Sequence, residues 1–436
     1  MERALTWART PAGRGAVLLT LATLATGWAM AAQQNIVTNY FEDVLGLAGP
    51  QFGYITAIRE VPGFLLIFLT ALFFRLSLPK LTALALVVLA VGYGFYGHSH
   101  SFWTVVPWVV ISSMGYHTWL QTQYALGMSL TTENRSGRIL GRMSAVNNVG
   151  ALLAMAVILL TFHFGWLGFR SAFVVCGALA LVAAAAIVGF PNLHNGELQA
   201  RVARREPIVW RREYRHYYGL SLLDGARMQI FFSFGLWVLV AHFGLPVPTI
   251  SAVLLISTSA SIWVGPWVGR NIDLYGERRM LSVVNVLYIV ALVGYALLNN
   301  VVAAVVCYLI YTLIMPLSSL GAATYLRKIA PADDIAPSLA MGVTMQHAAA
   351  IIVPVSAGFI LNFAGYQVPF LIACGFAGGA IVVTQRLAPE RQKSARRIAE
   401  EARAAAGLAA SGAAVLAGRD ERTQATWVEE PASGHD

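Results

Sequence analysis

Charge is what this sequence has least of: Asp, Glu, Lys and Arg together make up 12% of its residues, where a soluble domain carries about a quarter. With 57% hydrophobic residues and a mean hydropathy of +0.64, that scarcity excludes both a water-soluble globular domain and a disordered chain. It leaves a protein that crosses a membrane many times. Cysteine is also scarce. Cys176, Cys307 and Cys374 each stand in an apolar run, with no CxxC and no neighbouring histidine, which reads as packing and argues against disulfides, thiolate metal sites and nucleophiles. His98 and His100 have no further ligands around them, so no metal is expected, and no cofactor. The excess of basic residues, +9 with a pI near 9.6, reads as loop charge at a membrane surface and not as a nucleic-acid footprint.

What is present is a series of long apolar runs. A membrane helix needs roughly 20 mostly apolar residues, and twelve such runs stand at 15–37, 51–74, 81–97, 102–125, 143–163, 170–190, 216–241, 248–270, 280–298, 301–325, 338–363 and 367–385. The split between the third and fourth is the least marked. With both termini placed inside, inner segments hold 27 of the 30 basic residues; Arg170 alone lies in an outer loop, and Arg59 and Arg227 lie within spans. This asymmetry orients the chain with cytoplasmic termini, a cytoplasmic loop at 191–215 and an outer loop at 38–50 in the cytoplasmic membrane. The first span also reads as a signal peptide, with Arg3, Arg9 and Arg14 before it and Ala29-Met30-Ala31 near its end; the repeat described next argues against cleavage.

The repeat has an offset of 198 residues. Pro50 matches Pro248, Lys80 matches Arg278, Met143 matches Met341, and Cys176-Gly177 matches Cys374-Gly375. Two parallel six-helix halves follow, related by a pseudo-two-fold axis with a central cavity between them. The expected organisation is an all-α integral membrane protein: an amino tail at 1–14, bundles at 15–190 and 216–386, a basic linker at 191–215 and a largely disordered tail at 387–436, with a short interfacial helix at 390–405. Spans 3, 6, 9 and 12 are nearly featureless and read as lipid-facing; the others carry almost all intramembrane polar groups.

Span count, the basic loop after span 6 and the tandem halves give a chain that resembles the major facilitator superfamily over residues 15–386. The most specific match is the loop from Gly269 through Asp273 and Gly276 to Arg278 and Arg279, similar to the family's G-x-x-x-D-[RK]-x-G-R-[RK]; it departs at Leu274 and Glu277. The resemblance implies a gating loop whose aspartate, here Asp273, helps latch the two bundles on the cytoplasmic side. In the first half the equivalent loop keeps only Lys80, with Ala71, Arg75 and Leu78 at the other positions. The resemblance further implies a secondary transporter that rocks its halves around a central site, and not an enzyme. Signatures of the drug exporters and sugar porters are absent, and no Walker motif or added soluble domain supports ATP-driven transport.

Four charges lie near midplane depth: Arg59 and Glu60 in span 2, Asp224 and Arg227 in span 7. Each costs about 2.5–3.5 kcal/mol on insertion scales. Asp224 and Arg227 are spaced to pair with each other. Arg59 and Glu60 point about 100° apart and cannot share a partner, and Pro62-Gly63 marks a possible break in the helix. Arginine suits a carboxylate or phosphate, and Glu60 and Asp224 are candidates for proton exchange. The expected solute is therefore a small or amphipathic organic anion, held near Arg59 and Arg227 and coupled to protons. The alternatives are two structural ion pairs serving an exporter of neutral or cationic amphiphiles, and a transporter-like receptor or assembly factor. Tyr116, His117, Gln121, Asn147, Asn148, Gln346 and His347 are substrate ligands or plain interhelical hydrogen-bonders, and Gln33-Gln34-Asn35 faces the outer end of span 1. The expected partners are the solute, protons and the lipid bilayer; the chain is expected to be a monomer.

Overall fold

A backbone in hydrocarbon has no water to satisfy its N–H and C=O groups, so each apolar run closes its own hydrogen bonds as a helix. In the computed structural model, which describes residues 10–65, 76–130, 136–191 and 210–406, these helices are α1 (Pro11–Asn39), α2 (Gly49–Phe64), α3 (Leu78–Tyr96), α4 (Phe102–Ser129), α5 (Ser136–His163), α6 (Phe169–Val188), α7 (Arg215–Ala241), α8 (Val247–Tyr275), α9 (Glu277–Leu297), α10 (Val301–Ile329), α11 (Ala332–Ala364) and α12 (Gln367–Gln385). Ten of them are long and apolar enough to span a bilayer. The other two are α2, described for 16 residues, and α4, whose serines, threonines and glutamines lower its hydropathy.

Several helices outrun their apolar windows. The 38–50 loop shrinks to a few residues, because α1 continues into a π turn at Tyr40–Val44. α2 runs through Pro62 without a break there, and 66–75, with Ala71 and Arg75, lie outside the described residues. So do the 1–9 tail, most of the 191–215 linker and the tail from 407.

The halves repeat each other's packing. α1 lies on α5 and α6, α3 on α4 and α6; in the second half α7 lies on α11 and α12, and α9 on α10 and α12. The halves meet along two seams, α2 with α11 and α5 with α8, which the 198-residue offset exchanges. α3 and α6 pack closely through small residues: a Cβ on Gly177 would lie 2.7 Å from the Ala90 carbonyl oxygen. Their outer faces expose Leu84, Val87, Val91, Leu181 and Val182, as helices bordering lipid should.

At the 38–50 end the halves are joined by polar contacts. Asn35 donates to the Ser251 hydroxyl at 2.9 Å, Asn39 to the Leu245 carbonyl at 3.1 Å, and the Trp237 indole to Glu42 at 3.0 Å. Here α2 and α11 touch backbone to backbone, because Gly49, Gly53 and Gly358 carry no side chains to hold them apart.

At the other end the tail folds back on the second bundle. Pro389–Gln392 and residues 395–406 are helical. The Ser394 N–H donates to the Ile329 carbonyl at 2.9 Å, and the Tyr325 hydroxyl to Gln392 at 2.7 Å. Asp334, 4% exposed, ties three segments: it takes Arg211 at 2.6 Å, the Tyr214 hydroxyl at 2.9 Å and Arg396 at 3.0 Å. Asp334→Ala is expected to destabilise the chain by about 1–3 kcal/mol, since Tyr214 loses its acceptor in a buried site while both arginines can turn to water. A lowered melting temperature and faster proteolysis within 388–406 would register it.

Candidate functional site

The four midplane charges separate into two sets. In the first, Glu60 on α2 is 9% exposed and its carboxylate meets groups from three helices. Arg59 Nη2 lies 3.4 Å from Oε1, His347 Nδ1 of α11 lies 3.4 Å from Oε2, and His117 Nε2 of α4 lies 4.0 Å from Oε2. The two imidazoles stand edge to face, 5.8 Å apart. Adjacent residues point to different faces, yet the long Arg59 side chain folds back onto its neighbour. Its guanidinium also lies 5.2 Å from the Phe232 ring of α7. The Ser113 hydroxyl of α4 donates to the Arg59 carbonyl. Gly63 admits His117: a Cβ there would stand 2.6 Å from the imidazole.

His347 and Phe232 belong to the second half, so this set spans the interface between halves. Protonated histidine makes the Glu60 contacts charge-assisted; neutral histidine leaves Arg59 and Glu60 to balance each other.

The second set is enclosed within one half. Arg227, 1% exposed, lies 3.1 Å from Asp224 and donates to the Tyr311 hydroxyl at 2.7 Å and to Ser318 at 3.5 Å. Its guanidinium stacks on the Tyr288 ring at 3.4 Å. All these partners sit on α7, α9 and α10. The structure does not bring Arg227 and Arg59 together; it makes Asp224–Arg227 the self-paired bridge that their i,i+3 spacing allows. Tyr288, Tyr311 and Ser318 were missed in the sequence because they stand in otherwise apolar α9 and α10. Only the need of a buried arginine for partners could have pointed to them.

The remaining candidates scatter. Gln121 and Asn148 are exposed and Tyr116 and Asn147 half-buried. Gln346 packs against Gly225 of α7. In the loop after α8, Gly276 holds φ +77°, which suits glycine. Arg278 donates to Gln385 of α12 at 3.0 Å, while Arg279 is exposed. Glu277, where the motif expects a basic residue, is buried and takes Lys328 at 2.7 Å. The surroundings of Gly269 and the side chain of Asp273 lie outside what the structure describes.

The family model of the Major Facilitator Superfamily matches residues 217–427. Among solved structures, the nucleoside transporter NupG superposes with a TM-score of 0.68 at 15% identity, covering 85% of this chain and 97% of that one. A D-xylose–proton symporter gives 0.67 at 14%, covering 87% and 98%. The human organic anion transporter MFSD10 gives 0.58 at 13%, covering 86% and 100%. At these identities the likeness is one of fold. No curated protein matches by sequence.

Proposed function

We propose that this chain is a multi-pass membrane transporter of the major facilitator superfamily, whose family model matches residues 217–427, and that it moves a small or amphipathic organic anion by alternating access, coupled to protons through Glu60. One observation carries the reading: Glu60 of α2 meets His347 of α11 at 3.4 Å, a titratable contact across the interface that must open and close as the halves rock. A proton on Glu60 weakens its hold on Arg59, which is then free for an anion, and alters its contact with His347 across the interface. The enclosure of Arg227 supports Arg59 as the partner of the solute's charge, and Glu60 in preference to Asp224 as the proton site. The test is flux in proteoliposomes with an imposed proton gradient. Accumulation of an organic acid that collapses with a protonophore supports the reading; flux indifferent to the gradient overturns the coupling.

A neutral amphiphile is the second reading, favoured by the charge balance of the Arg59–Glu60 pair in the empty site. Accumulation of a neutral solute in place of the acid would select it.

We further infer that the protein lies in the cytoplasmic membrane with the 38–50 end outside and both termini inside, from the distribution of basic residues. Reporter fusions at Glu213 and Asp43 are expected to read cytoplasmic and external respectively. A cytoplasmic signal at Asp43 would invert the topology.

A further inference from the structure

Just inside the joined 38–50 end lies a cavity of about 30 Å³. Gln33, Gln34 and Thr38 of α1, Thr56 and Arg59 of α2, and Ser233 of α7 line it with several apolar side chains. Three features set it apart. Among the described residues Arg59 is the one charged group that lines it, with its partner Glu60, 3.4 Å away, outside the lining. It is rich in donors that have no other use: the side chains of Gln33, Gln34 and Thr38 bond to no other described residue. Ser233 is 3% exposed and its hydroxyl has no hydrogen-bond partner among the described residues. A buried hydroxyl without a partner is destabilising unless something fills the site.

The volume holds about two water molecules, which is also the room taken by the two oxygens of one carboxylate. It is too small for a whole solute.

We propose that this cavity receives the negatively charged head of the transported solute: an oxyanion site in which the bound oxygens pair with Arg59 and accept hydrogen bonds from Gln33, Gln34 and Thr38, completed by Ser233 from the opposite half. The proposal deepens the organic-anion reading and rests on it. Because Ser233 rides on α7 while the other donors ride on α1 and α2, the site is whole only when the 38–50 end is closed. A bound anion therefore favours the closed end by the difference between its contacts in the two states. The volume admits a two-oxygen head and leaves the rest of the solute outside it; a free small anion shares the chemistry of the head alone.

The experiment is thermal melting of the purified full chain, titrated with straight-chain monocarboxylates from acetate to decanoate and with the matching primary amides. The longer acids are expected to raise the melting temperature saturably and the amides to leave it unmoved. Ser233→Ala and Thr38→Val each remove one hydroxyl without changing charge; each is expected to weaken the binding of the acids by about tenfold, with the unliganded melting temperature no lower than that of the wild type. Two variants keep the test open if one fails to fold. Unchanged affinity in both, or amides as effective as acids, overturns the site. Acetate as effective as the longer acids also overturns it, by assigning the cavity to free small anions. Stabilisation by uridine or D-xylose where every acid fails would remove this site and leave the transporter assignment intact.

Discussion

Glu60→Gln is expected to abolish proton-driven accumulation while leaving the chain inserted and solute exchange down a gradient intact. Glutamine keeps the side chain's length and can still hydrogen-bond His347, so the α2–α11 seam, held by Gly49, Gly53 and Gly358, retains its packing. What disappears is the charge that changes with proton binding. Three groups respond to it: Arg59 at 3.4 Å, His347 at 3.4 Å and His117 at 4.0 Å. Without the negative partner, Arg59 stays free whether or not a proton gradient is imposed. His347→Gln should be milder, because Arg59 still balances Glu60. The measurement is uptake with and without an imposed gradient. Accumulation by Glu60→Gln at the wild-type level would take the coupling role away from this carboxylate.

The largest stability effect is expected at Arg227. Arg227→Gln strands Asp224, 6% exposed, in the interior of the second half, and removes the cation that Tyr288 and Tyr311 enclose. Breaking a buried pair in this way costs about 3–5 kcal/mol, a large share of the stability of most folded domains. Asp224→Asn should be less severe, since the Tyr311 hydroxyl and the Tyr288 ring still hold the arginine. Asp224→Asn/Arg227→Gln should recover most of the loss, because no charge is then left unpaired. Melting temperatures of the three variants check the order, and flux by the double variant decides the role. Rescue of both stability and transport makes the pair scaffolding. A well-folded Arg227→Gln with weakened anion binding would return it to the site.

The twelve helices and their repetition were legible because both rest on local physics. An apolar run in a bilayer has one way to satisfy its backbone, and a duplicated bundle keeps its turns and small residues at a fixed offset, as Pro50 with Pro248 and Cys176-Gly177 with Cys374-Gly375 do. Boundaries were less legible. Hydropathy marks where a helix is apolar, while hydrogen bonding marks where it ends, so α11 begins at Ala332 with Asp333 and Asp334 in its first turn, where acidic side chains suit the helix dipole.

What depended on tertiary structure was which polar residues meet. Arg59, Glu60, Asp224 and Arg227 were all identifiable as charges at midplane depth, but depth leaves the direction around the helix axis open, and each residue step turns that direction by about 100°. Packing against neighbours settles it. α7 turns Arg227 toward Tyr288 and Tyr311 within its own bundle, while α2, pressed on α11 through glycine, turns Glu60 to His347 across the interface. Ser233 and Gln33 are commonplace in sequence for the same reason: what singles them out is a shared cavity between α1, α2 and α7. The sequence determined that the chain crosses a membrane as two related bundles, because burial of apolar runs is decided segment by segment. The contacts between the bundles join residues far apart in the chain, and only the packed arrangement of helices could decide them.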